Sequence, residues 1–308
     1  MLLRVYKIIS YLIYPFVSIY LNNRLILKKE LSERIDERYG YSKIKRGKGK
    51  LVWIHAASIG ESVSVLPVIE ELEKNKKIKQ ILVTTGTVTS AKIMNERLRG
   101  KAFHQFIPID IPVFVDRFLS HWKPSLAIFV ESEIWPNFIS ELSKRKTKLM
   151  ILNGRMTPKS FNSWSKLKKT TLKLFSNFDL CCAQSSDSAF FYENLGIKNT
   201  IYTGNLKFAS KPQEIDSKKF KLLKKMVKNR KILLAASTHE GEEEVIADVT
   251  LSLKKKYKNF LSIIVPRHPN RSKFLSNRQK LKVAYRSKNQ DIKSNTNIYI
   301  ADTIKSIL

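Results

Sequence analysis

Residues 51–62 read Leu-Val-Trp-Ile-His-Ala-Ala-Ser-Ile-Gly-Glu-Ser. Leu51 to Ile54 is a short apolar run with β-branched and aromatic members, the pattern of a strand covered on both faces. Ala56, Ala57, Ser58 and Gly60 are small enough for a tight turn from strand to helix. The apolar segment Val63 to Leu72, with Pro67 inside it, predicts a helix. Glu61 stands where that helix begins. In an open α/β sheet, ligands bind outside the carboxyl ends of the strands, so a carboxylate there is a candidate general base. The alternative is an acidic residue that only complements the helix dipole.

Downstream, the same alternation repeats. Strands are predicted at Gln80–Gly86, up to Asp110 through Phe106-Ile107-Pro108-Ile109, at Ser125–Val130, Lys148–Leu152, Leu180–Gln184 and Thr200–Gly204. Helices are predicted between them at Thr87–Leu98, Val113–Trp122, after Trp135-Pro136-Asn137 up to Lys144, at Trp164–Phe175 and at Ser188–Leu195. Strands alternating with helices of this length give a parallel, doubly wound sheet. Right-handed crossovers then set Glu61, Gly86, Glu131 and Asn153 along one rim. Glu131 and Glu133 follow an apolar strand with no cation adjacent in sequence. Apolar walls, or a second carboxylate, raise a carboxyl pKa and suit it to proton transfer. The plainer possibility is a pair that caps the next helix.

A second series follows Lys211–Arg230, a charged segment expected to bridge two domains. It comprises strands at Lys231–Ala236, Phe260–Val265, near Lys282–Tyr285 and at Asn297–Ile300, with helices at Glu242–Tyr257 and Ser272–Lys280.

The chain has 308 residues, of which 43% are hydrophobic, enough for one large or two medium cores. Its two cysteines, Cys181 and Cys182, are adjacent, which suits neither a disulfide framework nor a cysteine metal site and implies a reducing compartment. The formal charge of +31, from 57 Lys+Arg against 26 Asp+Glu, points to an anionic partner: nucleic acid, a membrane surface or a phosphorylated ligand. No zinc-finger spacing or aromatic-basic RNA motif is present, so nucleic acid is not the expected partner.

Residues 2–27 are apolar, with an uncharged run from Ile8 to Asn23 interrupted by Pro15. That run is short for a spanning helix, which needs about 20 apolar residues, and it lacks a signal-peptide cleavage site. Tyr6, Tyr11, Tyr14 and Tyr20 suit a headgroup zone. The expectation is a membrane-anchoring helix over residues 1–30, interfacial or marginally spanning. The alternative is an apolar helix packed on the first domain. The basic stretch from Lys43 to Lys50 leads into the first strand, either as a solvated loop or as a contact for anionic headgroups, where each cation would add about 1 kcal/mol.

Six segments occur together and in order: HAASIGES (55–62), ESEIWPN (131–137), NGRMTPKS (153–160), GNLKF (204–208), ASTHEGEEE (236–244) and VPRHPNR (265–271). In combination they resemble the 3-deoxy-D-manno-octulosonic acid (Kdo) transferases of lipopolysaccharide assembly. The resemblance implies a GT-B glycosyltransferase with two Rossmann-like domains facing across a cleft. Residues 31–210 would be the amino-terminal acceptor domain and residues 211–308 a carboxyl-terminal domain binding the CMP-sugar. It implies transfer of Kdo from CMP-Kdo to a lipid A precursor of the lipid IVA type, with inversion and without metal or other cofactor, at the cytoplasmic side of the inner membrane. By matching residues, Glu61 corresponds to the catalytic base, Glu131 and Lys207 to groups that support the transition state, and Arg267 and His268 to the CMP-binding pair. Ser237 and Thr238, at a strand-to-helix turn, suit phosphate binding or a helix cap.

The resemblance also carries a departure. The family continues with a glycine-rich GGHN-type segment, and this sequence stops at Leu308. The expectation is therefore a truncated carboxyl-terminal domain of four strands, fewer than such a sheet usually holds, with an exposed parallel edge. A second chain would then complete the donor site. The alternative function is a catalytically impaired acceptor-binding module that needs that second chain.

Overall fold

The computed structural model describes residues 2–209, 217–268 and 281–303. The chain forms two compact units, Met1–Lys211 and Pro212–Leu308.

The first unit opens with two apolar helices, α1 (Leu2–Ile13) and α2 (Val17–Ile26), joined by a 3-10 turn at Tyr14–Phe16 that accommodates Pro15. Together they make a helix long and apolar enough to cross a membrane by length and composition. One stripe docks on the body. Val17 and Leu21 are buried with Ile111 and Phe114. The Tyr6 hydroxyl donates to Asp110 Oδ2 at 3.0 Å, and the Asn137 side-chain amide donates to Ser10 Oγ at 3.2 Å. Ile8, Ile9, Leu12, Ile13, Phe16 and Ile19 remain exposed on the outside. One face of this segment packs on the body, as the alternative reading expected, and the other face is bare.

A 3-10 helix at Ser32–Tyr39 follows, which sequence pattern did not signal. Its Arg38 is buried against Glu30, donating to Glu30 Oε2 at 2.9 Å, and reaches the carbonyls of Ile107 and Gly86. Next comes the α/β series: β1 (Lys50–His55), α3 (Ile59–Ser64), α4 (Leu66–Lys74), β2 (Ile78–Thr85), α5 (Val88–Arg97), β3 (Ala102–Phe106), α6 (Pro112–Trp122), β4 (Leu126–Val130), α7 (Pro136–Lys144), β5 (Lys148–Gly154), α8 (Pro158–Ser165), α9 (Lys168–Phe175), β6 (Leu180–Ala183), α10 (Ser186–Asn194) and β7 (Thr200–Tyr202). The seven strands are parallel in the order β3-β2-β1-β4-β5-β6-β7. The order reverses between β1 and β4, which makes the gap at their carboxyl ends the topological switch point.

Alternation along β1 explains the double cover. Leu51 and Trp53 enter a core with Phe118 of α6, Phe138 of α7, Leu174 of α9 and Tyr192 of α10. Val52 and Ile54 enter the opposite core with Ile69 of α4 and Met94 of α5. Each such large side chain, removed from water, contributes about 2 kcal/mol. Trp53 also satisfies its indole N–H on Thr84 Oγ1 at 2.9 Å, as a buried indole requires.

Three expected elements differ by more than a shift of one or two residues at an end. The helix expected over Val63–Leu72 is two helices, α3 and α4, because Pro67 lacks the N–H that would continue α3 and sits instead in the first turn of α4. The strand expected up to Asp110 ends at Phe106. The apolar Ile107 and Ile109 beyond it are loop residues that pack inward, and Asp110 accepts the backbone N–H groups of Asn137 and Phe138 at the start of α7. The helix expected over Trp164–Phe175 breaks between Ser165 and Lys168, where Thr171 Oγ1 donates to the Trp164 carbonyl.

The second unit carries α11 (Ser217–Met226) within the segment read as a bridge, then β8 (Lys231–Thr238), α12 (Glu242–Lys256), β9 (Phe260–Pro266), β10 (Val283–Tyr285) and β11 (Ile298–Ile300). These four strands form a second parallel sheet, β10-β11-β9-β8. Its core gathers Ala247 of α12, Ile264, Tyr285, Ile298 and Ile300. The helix expected at Ser272–Lys280 lies outside the described residues. Two parallel α/β units preceded by an apolar helix are the architecture that the sequence indicated.

Candidate active site

The rim of the first sheet is built from four strand ends. After β1 the chain turns through Ala56 and Ala57 into α3, with Ser58 as the N-cap. The Glu61 carboxylate folds back onto this turn. Its Oε2 accepts the Ala57 N–H at 2.8 Å, its Oε1 accepts the Ser58 hydroxyl at 2.7 Å, and Ser58 Oγ accepts the Glu61 N–H at 3.3 Å. This reciprocal arrangement is a variant of the capping box in which the Glu61 side chain reaches the N–H of Ala57, one residue before the N-cap, and the N-cap hydroxyl itself. Glu61 is buried, with 9% of its surface exposed. Burial holds its carboxyl above the ordinary carboxylate range, outweighing the Ser58 and Ala57 donors, and the charges of Glu133 and Glu131 push the same way. Each oxygen keeps a lone pair beyond its one partner, so capping and proton acceptance are compatible.

After β4, Glu131 adopts a left-handed backbone with φ 58°. That turn is pinned from three sides. Its N–H donates to the Leu152 carbonyl at 2.9 Å, and its own carbonyl accepts the Tyr192 hydroxyl at 3.1 Å and the Arg155 N–H at 3.4 Å. The Glu131 side chain pairs with Lys207, Nζ to Oε1 at 3.2 Å. Lys207 lies in a 3-10 turn, Leu206–Ala209, that follows β7. The structure thus brings Glu131 and Lys207 together although 76 residues separate them in sequence.

Glu133 departs from its expectation. Burial pushes its carboxyl up, but His55 and the Trp135 indole N–H, which donates at 2.7 Å, together hold it below the ordinary range. His55 lies at the end of β1, fully buried, and its Nε2 faces Glu133 Oε2 at 3.6 Å. That distance exceeds a hydrogen bond. The other ring nitrogen, Nδ1, meets Thr84 Oγ1 at 3.0 Å. Neither Glu131 nor Glu133 caps α7, whose first N–H groups go to Asp110. His55 was not singled out in the sequence; its position at the last residue of an apolar strand was the available signal.

Asn153, at the end of β5, is also left-handed, φ 55°, and buried. Its side-chain carbonyl accepts the Leu206 N–H at 2.9 Å, and its amide points to Glu131 Oε1 at 3.5 Å. The next residue must be glycine: a Cβ on Gly154 would lie 2.9 Å from the Tyr192 ring and 3.0 Å from Cys181 Sγ.

In the second unit, Ser237 is exposed with φ 59°. Thr238 is buried and its hydroxyl donates to Glu243 Oε1 at 2.9 Å, which ties β8 to α12. Gly241 is the N-cap of α12, so neither hydroxyl caps that helix. The Arg267 N–H donates to the Thr238 carbonyl at 3.1 Å, which sets the β8 and β9 ends side by side, with Arg267 and His268 exposed there. Among the described residues, no group of three or more His, Cys, Asp or Glu side chains is placed to hold a metal ion.

A family model described as 3-deoxy-D-manno-octulosonic-acid transferase (kdotransferase) matches residues 33–210. The transferase of that name from Rickettsia bellii is 36% identical over 304 residues, covering 98% of this chain and 72% of the relative. The chain belongs to the Kdo transferase family. Its relative from Rickettsia felis is 38% identical over 255 residues, 82% of this chain, and that match spans about half of the relative's length, 55%. Among solved structures, the UDP-GlcNAc 2-epimerase from Neisseria meningitidis bound to UDP-GlcNAc superposes with a TM-score of 0.55 at 17% identity, covering 82% of this Kdo transferase family member and 72% of the epimerase. At that identity the likeness is one of fold. It agrees with two Rossmann-like units of the GT-B kind.

Proposed function

We propose that this chain transfers Kdo from CMP-Kdo to a lipid A precursor of the lipid IVA type, with inversion at the anomeric carbon. The observation that carries the reading is the juxtaposition at the switch point of the first sheet: a buried carboxylate of raised pKa, Glu61, on one side, and the Glu131–Lys207 pair on the other.

In this reading the ionised Glu61 removes the proton of the acceptor hydroxyl as that oxygen attacks the anomeric carbon. The bond from that carbon to the phosphate oxygen breaks, and CMP departs with the electron pair. The proton rests on Glu61. A raised pKa makes Glu61 the stronger base, and its site is already desolvated, so the charge need not shed water during reaction. Lys207 offers a cation to the negative charge on the Kdo carboxylate and the departing phosphate. Glu131 holds that cation by an ion pair and can face the positive charge that develops on the sugar ring. In the second unit, the Arg267 fork and His268 suit the CMP phosphate, and Ser237 precedes Thr238, whose carbonyl accepts the Arg267 N–H. Thr238 has its hydroxyl committed to Glu243 and supports the strand end instead. No metal or other cofactor is assigned a step.

The amino-terminal helix supplies membrane attachment in this reading. Its outer apolar stripe would lie in the cytoplasmic leaflet of the inner membrane, where a lipid acceptor resides. The test is CMP release from CMP-Kdo by the full chain with a lipid A precursor in detergent or vesicles, alongside the mass gain of the acceptor. Acceptor-dependent release with a Kdo-bearing product supports the reading; a folded chain that yields neither sinks it.

A further inference from the structure

We propose that Asn153 is a positioning residue: its buried side-chain amide ties the turn carrying Lys207 to the strand end carrying Glu131, so that cation and carboxylate are presented as one fixed pair. The catalytic use of that pair rests on the function proposed above; the geometric claim does not.

Four observations carry it. Lys207 sits on a short 3-10 turn in which Leu206 packs beneath the rim against the core that includes Ile128 and Val130. Among the described residues, a side-chain hydrogen bond from another strand end reaches the backbone of this turn at Leu206, whose N–H goes to Asn153 Oδ1 at 2.9 Å. The other end of the same planar amide is aimed at Glu131 Oε1 at 3.5 Å, the oxygen that meets Lys207 Nζ at 3.2 Å. Asn153 is 1% exposed, so neither contact is shared with bulk water.

The residue type follows from these demands. One side chain must accept from an N–H and offer a donor to a carboxylate, at a backbone φ of 55°. Asn meets all three, since its amide has both ends and it tolerates the left-handed region. Asp would keep the bond to Leu206 but turn an oxygen toward Glu131. Glycine would keep the backbone conformation and lose both contacts.

That contrast gives the experiment. The full chain and its Asn153→Gly and Asn153→Asp variants are subjected to competitive trace acetylation, and the rate at Lys207 is compared with that of the remaining lysines by mass spectrometry. In Asn153→Gly the turn is released, Lys207 loses its partner, and its relative labelling rises about fivefold, the change expected for one hydrogen-bonded contact. In Asn153→Asp the turn stays and a second negative charge lies near the amine, so labelling falls below the parent's. Opposite signs separate positioning from unfolding, which raises labelling in both. Where the parent transfers Kdo, both variants lower kcat by about fivefold or more with KM for donor and acceptor within twofold. Unchanged Lys207 labelling in Asn153→Gly, or labelling that rises alike in both variants, overturns the proposal. A parent chain without transferase activity overturns only the proposed function, because the labelling comparison still decides the placement.

Discussion

Ser58 and Glu61 allow the two uses of one carboxylate to be separated. The helix cap has three contacts: Ala57 N–H to Oε2, Ser58 hydroxyl to Oε1, and Glu61 N–H back to Ser58 Oγ. Ser58→Ala removes the last two and the N-cap, a loss of about 1 kcal/mol of stability. It also removes a donor that holds the Glu61 pKa down, so the pKa rises further above its already raised position. A base works when ionised, so activity falls as pH drops through that pKa. Ser58→Ala therefore moves the acid limb of the rate profile to higher pH while the rate on the alkaline side stays near the parent's. Glu61→Gln keeps the size and one acceptor, costing about 1 kcal/mol of stability, but on the proposed mechanism it removes the base and lowers the rate roughly a hundred- to ten-thousandfold. The stability sign is opposite. A carboxyl raised by burial favours the folded state when protonated, and that contribution is lost as pH rises from the ordinary value of 4.5 through the raised one. The assay is CMP release against pH, with urea unfolding of each variant. Glu61→Gln retaining more than a tenth of the parent rate would reduce Glu61 to a helix cap, as would a Ser58→Ala acid limb that does not move.

Lys207→Ala should lower the rate about a hundredfold, as loss of a charge-stabilising group does, and change stability by less than about 1 kcal/mol, because Lys207 is half exposed; urea titration and initial rates measure both, and a large stability loss with an unaltered rate would contradict it. Burial, with Arg34 and Arg38 adding, depresses the His104 pKa from 6.5 to about 3, so stability present at neutral pH is lost as pH falls through that window, by roughly 5 kcal/mol across its full width. The urea midpoint of a His104→Gln variant should respond less to pH there than the parent's, and parallel curves would contradict the assignment. Leu12 and Phe16 are 67% and 63% exposed on the outer stripe of the amino-terminal helix. Replacing both with Ser should weaken co-sedimentation with anionic vesicles at least tenfold, on about 2 kcal/mol per buried side chain, and equal sedimentation would place that stripe away from the lipid.

Much of the fold was legible because its strands are covered on both faces. Leu51-Val52-Trp53-Ile54 and Leu126-Ala127-Ile128-Phe129 suit strands covered on both faces, their alternation with helical segments points to a parallel sheet, and the turn residues between them mark each end. What escaped was decided by tertiary partners. Ile107 and Ile109 have a strand's composition, yet lie past the last β3 pairing, where Arg38 donates to the Ile107 carbonyl and Asp110 begins the cap of α7. The turn at Ser32–Tyr39 is held by Arg34 and Arg38 stacked on Phe106, a contact made across the fold. At the site, the residue types and the rim were readable, whereas the pairings were not. Nothing local to Glu131 names Lys207 as its partner, and nothing in Asn-Gly-Arg reveals that the Asn153 amide spans the two. The Glu133 carboxyl was expected to rise beside another carboxylate; the His55 ring buried beneath it reversed the direction.

The account turns on a transfer reaction whose proton goes to Glu61. Its most direct test is the mass spectrum of a lipid A precursor after incubation with CMP-Kdo and either the parent chain or Glu61→Gln at matched folded concentration. The account requires a Kdo-bearing lipid from the parent and almost none from the variant. Equal product from both would contradict it.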